Sequence, residues 1–74
     1  MKRTPLRARV GLVLRQHREA LEMSQEAFAE SVQMHRTYYS QIERGLKDLR
    51  IETLERLCVA LEVRMWEVLR EAEA

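Results

Sequence analysis

Apolar residues in this chain return at intervals of three and four from one end to the other, and each such stretch stops after a few turns. That confines the chain to short helices packed on one another, because no segment sustains the alternation that a half-buried strand needs. Val10, Val13, Leu14, His17 and Leu21 mark a first helix from about Leu6 to Leu21. Pro5 suits its opening turn, where a missing N–H is no loss. Glu22-Met23 breaks the pattern. Ser24 is then the N-cap expected for a second helix, SQEAFAESV, with Glu26 favouring its dipole and Ala27, Phe28 and Val32 turned inward. After Gln33-Met34-His35, a third helix is predicted from Arg36 to Arg44, ended by Gly45 in a left-handed conformation. Its buried face is narrow, Tyr39 and Ile42 with help from Met34. Ile51, Leu54, Leu57, Cys58 and Leu61 define a fourth helix, Glu62-Val63 breaks it, and a fifth runs from about Arg64 to Glu71. The expectation is an all-α, compact five-helix fold.

Seventy-four residues make a single domain, 1–74, with a basic N-terminal arm over 1–5 and the fifth helix over 64–71. A chain this short buries only about 60% of the surface it exposes when unfolded. Dimerisation is a common way to add core. No apolar run approaches the roughly 18 residues that cross a bilayer. The basic start resembles a signal peptide, but arginine interrupts its apolar stretch almost at once, so no membrane association and a cytoplasmic location are expected. One cysteine, Cys58, excludes an internal disulfide and a thiolate metal cluster, and its spacing from Leu54 and Leu61 marks it as a small buried hydrophobe. His17 and His35 share no metal-ligand spacing, and the two glycines, Gly11 and Gly45, form no phosphate loop. No metal, no cofactor and no catalytic group are expected. An enzyme is disfavoured, since neither pocket-forming length nor paired catalytic groups are present.

The net charge of +1 conceals an asymmetry. Residues 1–18 carry Lys2, Arg3, Arg7, Arg9, Arg15 and Arg18 with no acid. Residues 36–50 set Arg36, Arg44, Lys47 and Arg50 against Glu43 and Asp48, and residues 62–74 are acidic on balance. Such a distribution suits a protein that meets a polyanion on one side. Lys2, Arg3, Arg7 and Arg9 either reach phosphate or minor groove, or simply solubilise the terminus.

Two short helices joined by a tight turn, the second with a polar outer face, describe a helix-turn-helix formed by helices 2 and 3. A B-DNA major groove about 12 Å wide admits one α-helix, provided that helix has a thin apolar anchor inside and donors and acceptors outside. HRTYYSQIERG meets that requirement. Arginine pairs with guanine O6 and N7, glutamine with adenine N6 and N7, and the threonine methyl meets that of thymine.

MSQEAFAE, HRTYYSQIERG and IETLERLCVALEV together resemble the lambda-repressor and Cro-type helix-turn-helix family, also called the xenobiotic-response-element family, over about Val10 to Leu69. Within it the chain looks most like restriction–modification controller proteins, which often carry a run like Arg36-Thr37-Tyr38 with Ser40 and Ile42 to Gly45. The resemblance implies a transcriptional regulator that binds a double-stranded DNA operator, with RNA polymerase a further candidate partner. By position it directs Arg36, Thr37, Ser40 and Gln41 at base edges. It sets Gln25 on a backbone phosphate at the start of helix 2, with His35, Tyr38 and Arg44 on phosphate or sugar. Arg18 and Glu43 match an ion pair that orients the recognition helix. The chain departs from the family at Gln33, where glycine is usual and a left-handed residue costs about 1 kcal/mol or more. His35 and Arg50 replace serine-like N-caps, forfeiting about 0.5–2 kcal/mol each. Leu49 stands where proline is common.

A homodimer on a palindrome is expected, because two recognition helices about 34 Å apart read more sequence than one. Trp66 occupies a position that is usually polar and exposed, so a large aromatic there implies an interface, with Val63 beside it. The alternative is an antitoxin-like or other helical protein-interaction module whose main partner is a protein. Its mark would be a long extra tail, of which residues 72–74 leave almost none.

Overall fold

Left-handed residues, more than the glycines, divide this chain into its helices. The computed structural model describes residues 4–74, with α1 (Leu6–Ala20), α2 (Gln25–Ser31), α3 (Arg36–Glu43), α4 (Ile51–Leu61) and α5 (Met65–Glu73). Glu22, Gln33 and Glu62 have φ of 59, 56 and 62°, and Gly45 has 75°. The N–H that follows each of them donates to the carbonyl five residues back: Met23 to Arg18, Met34 to Ala29, Leu46 to Gln41 and Val63 to Cys58, at 2.8–3.4 Å. Helices α1 to α4 thus share one closure, the Schellman arrangement. Three of the four instances use a residue that carries a Cβ penalty in that conformation.

The helix starts are more varied. Pro5 is extended and precedes α1, its carbonyl accepting from Ala8 and Arg9. Ser24 Oγ accepts from the Ala27 N–H at 3.0 Å. His35, expected to forfeit its cap, supplies one: Nδ1 accepts from the Thr37 N–H at 3.2 Å. An imidazole nitrogen without a proton has the lone pair that a serine oxygen would offer. Arg50 provides no side-chain cap to α4. At α5 the Arg64 N–H donates to Glu67 Oε1 at 3.0 Å.

Leu14, Phe28, Tyr39, Leu57 and Val68 are wholly excluded from solvent at the centre of the core. The rings of Phe28 and Tyr39 lie 5.1 Å apart, tilted by 57°, and join α2 to α3. Helix α1 is the hub, packing against α3, α4 and α5. The radius of gyration of 11.4 Å matches the roughly 11 Å of a close-packed chain this long.

Two expectations about packing fail, and two residues with helical spacing stay outside the core. Leu21 and Ile51 keep the helical spacing but are exposed, because they stand at helix ends beyond the reach of the neighbouring helix. On α2 it is Ala29 that is buried, and Ala27 is exposed: Phe28, Ala29 and Val32 form the inner face. Helix α5 continues past Glu71 to Glu73 because Ala72 extends the buried stripe of Val68. Its carbonyl accepts from Arg9 Nη1 at 3.0 Å.

Lys2 and Arg3 of the expected basic arm lie outside the described residues. Among the described residues, no helix is long and apolar enough to cross a membrane. Among the described residues, no group of three metal-ligating side chains comes together.

Candidate nucleic-acid interface

Helix α3 turns Tyr39, Ile42 and Glu43 inward. Helical geometry then sets Thr37, Gln41 and Arg44 on the opposite side, with Ser40 and Tyr38 at its two edges, while Arg36, two turns before Glu43, opens the helix nearer its inner side. Arg36, Thr37, Tyr38 and Arg44 are exposed, and Ser40 and Gln41 are half-buried. Of the side chains expected at base edges, Thr37 and Gln41 therefore share the outer face and Ser40 borders it, whereas Arg36 is exposed at the first residue of the helix and does not lie on that face. Arg44, expected on the DNA backbone, stands on that same face one turn beyond Ser40. It is the cap residue after the last helical turn.

The inner side of α3 is held by a buried ion pair. Arg18 Nε donates to Glu43 Oε2 at 2.7 Å and Nη2 to Oε1 at 3.1 Å. Each residue keeps 7% of its surface exposed. Arg18 Nη1 also donates to the Met23 carbonyl at 2.6 Å, which fixes the turn between α1 and α2. Gln25 Nε2 donates to Glu43 Oε1 at 2.8 Å. One carboxylate thus joins α1, α2 and α3. Burial pushes the Glu43 carboxyl up, but the hydrogen bonds from Arg18 and Gln25 outweigh it and hold the group below its ordinary value. Hydrogen bonding to Glu43 raises Arg18 against the opposing effect of burial. The Tyr39 hydroxyl is buried without a hydrogen-bond partner, and burial raises its pKa.

Gln25 has a second amide proton to offer. It lines a polar hollow with Ser24, Glu26 and Arg36, where α2 and α3 begin. A residue expected on phosphate and one expected on a base edge thus border the same space. His35 is exposed beside them, its ring engaged as the cap of α3.

Two further supports of α3 had no signal in the sequence. Arg7 Nε donates to the Gly45 carbonyl at 3.0 Å, across a separation of 38 residues. A Cβ on Gly11 would lie 2.4 Å from the Ile42 carbonyl oxygen and 2.6 Å from that of Glu43. The backbone of α1 therefore rests directly on the C-terminal end of α3.

Away from α3, Trp66 is 59% exposed, and the Arg70 guanidinium lies 5.2 Å from its ring centroid. Val59 is 71% exposed and borders a shallow hollow with Val63 and Trp66. Val63 is half-buried and packs against the core, so it offers only part of its surface.

Residues 14–65 match the helix-turn-helix family. The chain is 34% identical over 56 residues to the control protein C.MunI from a Mycoplasma species, an alignment covering 76% of each chain. Among solved structures it is similar to the clp gene regulator ClgR from Corynebacterium glutamicum, with a TM-score of 0.93, 32% identity, and coverage of 97% of this chain and 92% of that one. It is also similar to the restriction–modification controller protein C.Esp1396I, solved as a tetramer with its natural 35-base-pair operator. The TM-score there is 0.82 at 33% identity, over 97% of this chain and all of the other.

Proposed function

The chain belongs to the helix-turn-helix family and is a DNA-binding regulator homologous to restriction–modification controller proteins; on that footing we propose that it is itself such a controller, binding a palindromic operator as a two-fold homodimer. The outer face of α3 supports this most directly. Thr37, Ser40 and Gln41 present donors, acceptors and a methyl on the outer side of a helix whose inner side is pinned by Glu43, and Arg36 is exposed at its first residue. Such pinning has little value for a merely solvated helix and great value for one that must meet base edges in register. In this reading Gln25, His35, Tyr38 and Arg44 contact phosphate or sugar around those four.

The homodimer rests on the Trp66 surface. Val59, Val63 and Trp66 form an apolar patch on a chain too short to bury a large core alone. A protein-interaction module would use such a patch equally well. It would have no use for the polar face of α3, and that face separates the two readings.

Selection from random duplexes, followed by titration of the best sequence at rising salt, tests DNA reading. A preferred palindrome is expected, with affinity falling steeply as salt rises because phosphate contacts release counterions. No preference over random DNA refutes the proposal. Sedimentation at micromolar concentration tests the dimer: wild type should dimerise and Trp66→Ala should shift to monomer. A monomeric wild type, or an unaffected mutant dimer, removes that interface.

A further inference from the structure

On the reading of Gln25 as a contact to the DNA backbone, we propose that Tyr39 is a positioning residue, whose hydroxyl takes the place of Gln25 on the Glu43 carboxylate when Gln25 turns out to a phosphate. The starting point is an unused donor. Tyr39 is wholly excluded from solvent, and among the described residues its hydroxyl bonds to nothing. A buried hydroxyl left unmatched is a cost that folded chains rarely keep without a use for it. Tyr39 and Glu43 stand four residues apart on the inner side of α3, so their side chains lie one above the other. Burial raises the pKa of the phenol, the Glu43 carboxylate raises it further, and Arg18 opposes both. The hydroxyl therefore keeps its proton beside an acceptor to which it is not aligned.

Three N–H groups converge on that acceptor, two from Arg18 and one from Gln25. Arg18 is buried and is held again by the Met23 carbonyl at 2.6 Å. Gln25 is half-buried, opens α2, and lines the polar hollow with Ser24, Glu26 and Arg36. It is the one of the three that can leave. Once its pull is gone, the carboxylate is free to turn to the remaining donor, Tyr39. The exchange leaves Glu43 with as many bonds as before, satisfies the hydroxyl, and releases both amide protons of Gln25 to phosphate. Had Gln25 kept Glu43 and offered only its second proton, the hydroxyl would stay unmatched with DNA and without it. Helix α2 thus trades its bond to α3 for one to DNA, while the Arg18–Glu43 pair keeps α3 seated on α1.

Tyr39→Phe removes only the hydroxyl, and its effect should depend on Gln25. In urea unfolding of the free wild type, the equilibrium should stay unchanged or move toward the folded state, because an unmatched polar group is lost. In Gln25→Ala, and in Gln25→Met, which keeps the length without the N–H, the same change should move it toward the unfolded state. The shift there should be about tenfold or more, the worth of a hydrogen bond to a charged group. On the selected duplex at constant salt, Tyr39→Phe should weaken wild-type binding by about tenfold and leave the Gln25 variants unaffected. A residue that merely packed the core would not lower affinity while sparing stability. Additive effects in unfolding overturn the exchange, and so does an operator affinity that Tyr39→Phe leaves unaltered. The unfolding cycle needs no DNA, so it decides whether Tyr39 replaces Gln25 on Glu43 even if no duplex is preferred and the functional reading fails.

Discussion

Glu43→Ala removes the carboxylate on which three helices converge, and the structure sets the size of the loss. The side chains of Arg18 and Glu43 are 9% and 2% exposed, and Arg18 spends two of its donors on Glu43. Without Glu43, a guanidinium stays buried with only the Met23 carbonyl as partner, and Gln25 loses its acceptor. Breaking a buried pair from one side costs about 3–5 kcal/mol. A domain of this length has roughly 4–11 kcal/mol in all. At about 4–8 °C per kcal/mol, the melting temperature should fall by 12 °C or more, as followed by circular dichroism. Glu55→Ala is the control, an exposed acid on α4 expected to change stability by no more than about 0.5 kcal/mol. Replacing Arg18 and Glu43 together by apolar residues should recover most of the loss, since neither charge is then stranded. The pH dependence has a definite sign. Glu43 is held below its ordinary value in the fold, so its contribution is whole above the ordinary carboxylate range and is lost as pH falls through the depressed value. Glu43→Ala should lack that part of the acid sensitivity. A neutral-pH melting temperature within about 3 °C of wild type would refute the reasoning.

Arg36→Ala and Gln41→Ala should each cost about 1–3 kcal/mol of operator affinity and relax preference at particular base pairs, and an unchanged selected motif in both would move the reading surface elsewhere. Gln33→Gly should raise the free energy of unfolding in urea by up to about 1 kcal/mol, moving the midpoint to higher urea, because φ at that position is 56° and glycine adopts it without a Cβ penalty. Arg7→Ala should lower stability by about 1 kcal/mol by freeing the Gly45 carbonyl, yet leave the salt dependence of DNA binding intact. Loss of a phosphate contact would instead reduce the salt slope by about 1, and observing that would place Arg7 on DNA.

What the sequence revealed follows from the range of each interaction. Helical periodicity located all five helices to within a few residues, because a buried face repeats locally. It did not say how far a partner helix extends, so Leu21 and Ile51 keep the spacing and yet are exposed, and the buried Ala72 lies beyond the expected end of α5. The outer face of α3 was legible for the same local reason: Tyr39 and Ile42 define its inside, and the remaining positions follow by rotation. Gln25 was expected on phosphate from family position, but its bond to Glu43, 18 residues away, has no local pattern. The cap by His35 was missed because imidazole is a less common cap than a hydroxyl.

The basic N-terminal segment is where local reading misleads most. Six cations without an acid look like an electrostatic footprint for DNA. Yet each cation of that segment among the described residues has a partner within the chain. Arg7 holds the Gly45 carbonyl, Arg9 those of Thr4 and Ala72, Arg15 pairs with Glu19, and Arg18 with Glu43. Arg7, Gly11 and Arg18 stand four and seven residues apart, which sets them along one stripe of α1. All three meet α3 or the residue that ends it: Arg7 at Gly45, Gly11 at Ile42 and Glu43, Arg18 at Glu43. Helix α1 is therefore the rail on which α3 is set, and much of its charge serves that mounting. Binding specificity should then respond to substitutions along this stripe even though none of its three residues belongs to the outer face of α3.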